Sequence, residues 1–336
     1  MRPGARAVAI RYPVDYRGLS EEDHLILKVL RLYYEHDLTQ AEVASRMGFS
    51  RPKVSKLIAE GKYRGLVKVE LAVPAGDFAE LEIALEDSYG LMEAVVVATS
   101  ENRRTTELSA GRAGAALLAR ACTAETVLGL SWGVSVRALA DATPQRAFIC
   151  RKVVPLVGGM GKAQAQLHSN QVCADLAEKL GTEHLRLDAP AIARSSQSRS
   201  ELAALPGIED TLAEGAACDV AVMGIGGILP TSTMVEAGYF TLDEFLGLRK
   251  HGIVGDICCH FLDAEGRARY PELSERIVGL TPDELRAIDY TIGTATGAEK
   301  ARGVAAVVSG GFVEALVCDR DLARSLLEIP DQRGAE

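Results

Sequence analysis

Seven basic side chains, Arg46, Arg51, Lys53, Lys56, Lys62, Arg64 and Lys68, fall in one stretch whose only acid is Glu60. A run of this kind attracts polyanions by displacing their condensed counterions. The chain around it is acidic, with a formal net charge of −9 over 336 residues. Residues 1–73 carry 13 Lys and Arg against 9 Asp and Glu, a net of +4, which leaves 24 against 37, or −13, for the remainder. An acidic body is repelled by DNA, so contact with nucleic acid is expected from the basic head alone.

A second chemistry sits where apolar runs meet glycine-rich turns. "VLGLSWGVSVRALA" passes through Gly129, Ser131, Trp132 and Gly133 into a helical pattern starting near Val134. Its N–H groups and the hydroxyls of Ser131 and Ser135 can hold an anion, with phosphate the obvious candidate. The alternative is a tight structural turn with the single tryptophan packed beside it. "PLVGGMGK" imitates a P-loop, but Ala163 stands where Ser or Thr must follow the lysine and Leu156 where the first glycine belongs, which argues against nucleotide hydrolysis. "MGIGG" is too short for a dinucleotide fingerprint and is followed by Pro230, although close backbone approach to a ligand stays open.

Asp256, expected to begin a strand after a glycine, and Lys300, expected in the first turn of a helix after a strand, suit hydroxyl and phosphate recognition respectively. Either alone is more often a surface charge. His168, His260, Cys258 and Cys259 have no spacing that builds a tetrahedral metal site; buried packing or a hydrogen bond to ligand is the expectation. No cofactor, metal or catalytic constellation is expected.

The elements that must position these residues follow from periodicity and capping. Ser20 and Asp23 form a capping-box pattern before Leu25, Ile26, Val29, Leu30, Leu32 and Tyr33, a helix ending near His36. Thr39 caps a second helix, "QAEVASRM", which Gly48 ends; "GFS" is the turn. Ser50 caps a third, with Pro52 in its first turn, where a missing N–H is harmless. Val54, Leu57, Ile58 and Gly61 face inward, leaving a short basic outer side that fits a major groove. The expected DNA-contacting set is Thr39, Gln40, Ser50, Arg51, Pro52, Lys53, Ser55 and Lys56, used twice over in a symmetric dimer. "LVKVELAV" then alternates like a strand, as a wing or a simple bridge. The plainer reading is a solvated face of a helical bundle.

From about residue 74, at "VPAGD", the runs "AVVVAT", "TVLGLS", "KVVPLVG", "HLRLDA", "DVAVMGIGG", "DICCHFLD", "YTIGTAT" and "EALVCD" alternate with helical patterns. This predicts a mostly parallel sheet covered on both faces, with ligands beyond the carboxyl ends of its strands. Domains of 1–73 and 74–336 follow. Hydrophobic content of 48% with 25% charged residues supplies ample core. The seven cysteines are scattered, never as C-x-x-C, and are expected reduced and buried. The N-terminus lacks the apolar stretch of a signal peptide, and no later run reaches membrane-span length, so a cytoplasmic protein is expected.

The order of motifs resembles the SorC family of sugar-responsive bacterial transcriptional regulators. The likeness runs from "LYYEHDLTQAEVASRMGFSRPKVSKLI" through "GLSWG", "PLVGGMG", "SNQVCADLA", "DVAVMGIGG", "GIVGDICCHFLDAEG" and "VGLTPDELRAI" to "EKARGVAAVVSGGFVEALVCDRDLARSLL". It implies an α/β protein: an N-terminal helix-turn-helix (winged) domain, then a Rossmann-like effector domain similar to sugar-phosphate isomerases and deaminases. It also implies that a phosphorylated sugar or polyol in the second domain sets affinity for operator DNA, in a dimer or tetramer that does not engage membranes. The residues it nominates for the effector are Gly129, Ser131, Trp132, Gly133, Ser135, Gly158, Gly159, His168, Asn170, Asp256 and Lys300. The chain departs from the family pattern at Ser135, commonly Thr, at "TATGAEK", commonly glycine-rich, and at Cys259 and His260, commonly Gly-Arg. The rivals are an isomerase or deaminase with a DNA-binding appendage, for which Asp256 lacks a forced acid–base partner, and a second domain that only oligomerises.

Overall fold

The computed structural model describes residues 8–11, 20–36, 38–71, 78–159, 161 and 165–329. The chain forms two compact units, Met1–Asp77 and Phe78–Glu336. The boundary expected at "VPAGD" lies outside the described residues, as do Lys162 and Ala163 of the P-loop comparison.

The first unit holds strand β1 (Val8–Arg11), helices α1 (Glu21–Tyr34), α2 (Gln40–Met47) and α3 (Arg51–Tyr63), and strand β2 (Lys68–Leu71). The expected capping box of Ser20 with Asp23 forms, and the expected cap at Thr39 is a second box, closed by Glu42. Gly48 ends α2 in the left-handed region. The helices close over one core of Ile26, Leu27, Val29, Leu30, Val43, Val54 and Ile58. Two details differ from expectation. Ser50 occupies the N-cap position of α3 with extended backbone, but its hydroxyl makes no capping bond. The strand after α3 is not part of a local hairpin: β2 pairs antiparallel with β1, from the other end of the unit.

The second unit contains α4 (Ala79–Tyr89), β3 (Glu93–Val97), α5 (Arg103–Ala121), β4 (Val127–Leu130), α6 (Val134–Ala142), β5 (Lys152–Pro155), α7 (Ser169–Leu180) and β6 (Glu183–His184). It continues with α8 (Ser196–Ala203), α9 (Pro206–Ala216), β7 (Val220–Gly227), α10 (Thr233–Glu236), α11 (Leu242–Gly247), β8 (Ile253–Ile257) and β9 (His260–Asp263). α12 (Pro271–Ser274), α13 (Pro282–Arg286), β10 (Tyr290–Thr294), α14 (Ala301–Ser309), β11 (Ala315–Asp319) and α15 (Arg320–Leu327) complete it.

Among the described residues, the main sheet runs β3-β11-β10-β7-β4-β5-β6, all parallel. Successive strand residues face opposite sides. Val220 and Val222 of β7, with Ala315 and Val317 of β11, therefore pack under Leu117, Leu139 and Leu176 of α5, α6 and α7. Ala221, Met223, Leu316 and Cys318 meet Leu85, Val304 and Leu322 of α4, α14 and α15 on the other face. The expected doubly covered parallel sheet is present. No helix among the described residues is long and apolar enough to cross a membrane, and the seven cysteines are free thiols, all buried except the half-buried Cys122.

Two strand expectations need correction. "DICCHFLD" is not one strand: Cys258 and Cys259 both take positive φ, 48° and 70°, and turn the chain between β8 and β9. Positive φ at both central positions matches the twist of a two-residue hairpin. Asp256 consequently sits near the end of β8 instead of at a strand start. "HLRLDA" keeps only the short β6, because Asn170 takes the Leu187 backbone instead: Leu187 N–H donates to Oδ1 at 2.8 Å and Nδ2 donates to the Leu187 carbonyl at 3.1 Å. Lys300, expected inside a helix, closes a 3-10 turn and stands at the N-cap of α14.

Candidate functional site

In the first unit the sequence builds a rigid basic edge. The side chains of Val54, Ile58 and the backbone of Gly61 turn inward, and Arg51, Pro52, Lys53, Ser55 and Lys56 are exposed on α3. Thr39 is spent on its capping box, with its N–H 2.7 Å from Glu42 Oε2, and Gln40 is half-buried beside it. Lys53 Nζ lies 4.0 Å from the centroid of the Phe49 ring, so an aromatic face in the turn steadies that cation. Arg64 is committed elsewhere. Its guanidinium donates to Glu60 at 2.6 Å, Asp23 at 3.0 Å and Glu22 at 3.2 Å, tying the end of α3 to the start of α1. Glu60, then Glu22 and Asp23, push its pKa up.

In the second unit the chain steps outward from β4 to β5 and β6, then returns to place β7 on the other side of β4. This is a topological switch point, where turns leaving adjacent strands diverge and open a crevice. A cavity of about 670 Å³, counted to its open mouth, occupies it.

One wall is the turn from β4 into α6. Gly133 has φ 108° and ψ 177°, a conformation closed to other residues, and it presents the start of α6 without any side-chain cap. The free first-turn N–H groups, with Ser135, line the cavity and form an anion site by geometry and dipole. Lys179 caps the opposite end of α6, donating to the carbonyls of Ala140, Asp141 and Thr143 at 2.8, 2.7 and 3.2 Å. Trp132 is buried and also lines the cavity; its indole bonds the Cys259 thiol behind it.

The floor is the far end of β7. A Cβ on Gly226 would stand 2.0 Å from Asp256 Oδ1, so the missing side chain leaves the space that the carboxyl fills. Asp256 is buried, and burial raises its pKa to about 7 despite the opposing pull of Lys300. Lys300 lines the same cavity; burial first, then the charge of Arg103, lowers its pKa.

Trp132, Gly133, Ser135, Asp256 and Lys300 are thus brought together, and the other nominated residues stand outside the lining. Gly129 is inside β4, where a Cβ would meet Leu156 and Cys218. Ser131 accepts a hydrogen bond from Gly224 N–H at 3.0 Å, stitching β4 to β7 behind the cavity. Gly158 and Gly159 bond to the backbone of Val278 and Ala189. His168 precedes α7, one residue from the Leu167 carbonyl that accepts the Gly133 N–H, and Asn170 is the clasp on Leu187.

The reading from sequence missed Arg103 at the start of α5 and the segment Thr231, Ser232, Thr233 and Met234, all of which line the cavity. The signal for the segment was available: "LPTSTM" is a hydroxyl-rich turn beyond the carboxyl end of a strand. Arg103 carries no such mark. Among the described residues no group of His, Cys, Asp and Glu is arranged to hold a metal ion.

Residues 73–328 match the family described as "Putative sugar-binding domain", and residues 19–61 match sigma-70 region 4. The sorbitol operon regulator of Klebsiella pneumoniae is 31% identical over 92% of this chain and 99% of its own length. The deoxyribonucleoside regulator of Bacillus subtilis is 27% identical over 91% and 98%. The crystal structure of the full-length Klebsiella regulator, SorC, superposes with a TM-score of 0.71, covering 92% of this chain and all of that one. With residues 19–61 matching sigma-70 region 4, residues 73–328 matching the sugar-binding domain and 92% of the chain aligning with a SorC regulator, the protein belongs to the SorC family of transcriptional regulators.

Proposed function

We propose that this regulator binds operator DNA through α3 and releases or engages it in response to a phosphorylated sugar or polyol held at the switch-point cavity. The observation that carries the reading is the cavity itself: an uncapped helix start at Gly133 to Ser135 shares one enclosure with Asp256 and Lys300. The helix start suits a phosphate; the acid, the amine and the hydroxyls of Thr231, Ser232 and Thr233 suit the polyol portion. On the DNA side, Ser50, Arg51, Pro52, Lys53, Ser55 and Lys56 meet the groove and its phosphates, with Thr39 and Gln40 at the start of α2 against the backbone. Two such units in a dimer or tetramer address a two-fold operator in the cytoplasm, with residues 1–73 as the DNA-binding and 74–336 as the effector domain. Gly129, Ser131, Gly158, Gly159, His168 and Asn170 support the lining from behind.

A thermal-shift screen of the full chain against glucitol 6-phosphate, fructose 6-phosphate and 2-deoxyribose 5-phosphate tests this, followed by operator binding with and without the compound that shifts. Ser135→Glu is expected to abolish the shift and the effector response while operator binding persists. No shift with any phosphorylated sugar sinks the effector reading. Turnover of the same compounds is the second reading, favoured by the shared cavity of Asp256 and Lys300; product formation in a discontinuous assay would replace the regulator-only account.

A further inference from the structure

The cavity contains an acid that no described residue satisfies. Asp256 is 6% exposed and lies between Gly226 of β7 and Phe261 of β9 in the two antiparallel ladders. Neither neighbour offers a polar side chain. Among the described residues its carboxyl makes no hydrogen bond and no ion pair. A buried carboxylate left in that state is strongly disfavoured relative to its neutral form.

The surrounding charges do not remedy this. Lys300 is the cation that acts on Asp256, and its amine is itself disfavoured by burial and by Arg103. Arg103 is held by Glu107 at 2.9 Å, with Glu299 3.8 Å away. In the hairpin turn, Cys258 and Cys259 are buried thiols pushed further toward the neutral form, the negative charge of Asp256 contributing to both. Ser131, behind the cavity, and Trp132, in its wall, are uncharged. His260, next along β9, is turned away and bonded to the Leu280 carbonyl at 2.9 Å.

The anion site at Gly133 to Ser135 opens into the same enclosure. A phosphate monoester is mostly a dianion above its second pKa of about 6. Bringing that charge into the cavity beside a buried ionised carboxyl sets like charges against each other at short range, where salt screens little. A proton on Asp256 removes the conflict and supplies an O–H donor for a ligand hydroxyl or phosphate oxygen.

We propose that effector binding is coupled to the uptake of one proton by Asp256, so that the cavity closes on a phosphorylated ligand only with that carboxyl neutral. The coupling rests on the reading of the cavity as a phosphorylated-ligand site. The bookkeeping is simple: a proton leaves the buffer and bonds a carboxylate oxygen, and no other bond changes. Because burial already brings Asp256 to about pH 7, the free protein is partly ionised near neutrality, and the ligand's charge completes the shift. Effector affinity then falls as the solution becomes more alkaline, and the operator response weakens with it.

Isothermal titration of the full chain with glucitol 6-phosphate, fructose 6-phosphate and 2-deoxyribose 5-phosphate, each at about pH 8 in Tris and in EPPS, reads the proton directly, because the two buffers differ in ionisation heat. Close to one proton taken up is expected, with affinity dropping about tenfold per pH unit above neutrality. Asp256→Asn should bind with no proton uptake and a flat profile over the same range. Equal apparent enthalpies in both buffers, or an Asp256→Asn variant that still takes up the proton, would overturn the coupling while leaving the effector site standing. Absence of binding heat from all three compounds would overturn both. If the variant does not fold, the two-buffer comparison on the native chain decides alone.

Discussion

Asp256 occupies the space a side chain on Gly226 would need, its Oδ1 2.0 Å from the position of the missing β-carbon. The two residues face each other in the β7–β8 ladder, so a side chain added at Gly226 must displace the Asp256 carboxyl.

Gly226→Ala is therefore expected to push the carboxyl out of place while the flanking Ile225 and Ile257 keep their places in the core. Affinity for a sugar phosphate should fall at least about tenfold, the loss of roughly one charge-assisted hydrogen bond. Operator binding should be unchanged. Calorimetry beside a gel-shift titration checks both; native effector affinity in the variant would contradict the close approach.

Asp256 should also destabilise the fold above acid pH. Its folded pKa, about 7, is raised above the unfolded value, so the folded state holds the proton more tightly. Stability from this group is full below about pH 4 and is lost progressively as pH climbs through 7. Asp256→Asn is expected to gain on the order of 4 kcal/mol at pH 8, and the gain should shrink toward pH 4. Urea unfolding of both proteins across that range measures it, and a gain independent of pH would assign it to packing instead.

Lys56→Met should weaken operator binding across all sequences and reduce the slope of log affinity against log salt by about one. Lys56 is exposed on the outer side of α3. An unchanged slope would remove α3 from the phosphate backbone.

Arg64→Gln is expected to behave oppositely. Its three carboxylate partners already engage it, so the salt slope should stay at the native value, while the melting temperature of the first unit drops. A reduced slope would put Arg64 on DNA.

Local chemistry explains what was legible from residues alone. Thr39, Glu42 and Gly48 write the limits of α2 into the chain, and the parallel sheet follows from apolar runs that alternate with helical ones. The hairpin at Cys258 and Cys259 was hidden because cysteine carries no turn signal; there the left-handed backbone comes with the two-residue link between the paired strands β8 and β9. The short β6 was hidden for a different reason, since a side chain distant in sequence, Asn170, captures the Leu187 backbone. At the cavity, Gly133, Ser135, Asp256 and Lys300 were readable as residues at strand ends. Arg103 reaches the same place only through the packing of α5, which no short motif records.

One strand carries two ladders. Residues 220–224 of β7 pair in the parallel sheet, and Ile225, Gly226 and Gly227 go straight on to pair with β8. The pocket floor is therefore welded to the hydrophobic interior, with no joint between them. Val222 and Met223 do not line the cavity, yet substitutions there are placed to tilt that floor. The shape of the pocket can therefore change while every residue that lines it stays unaltered.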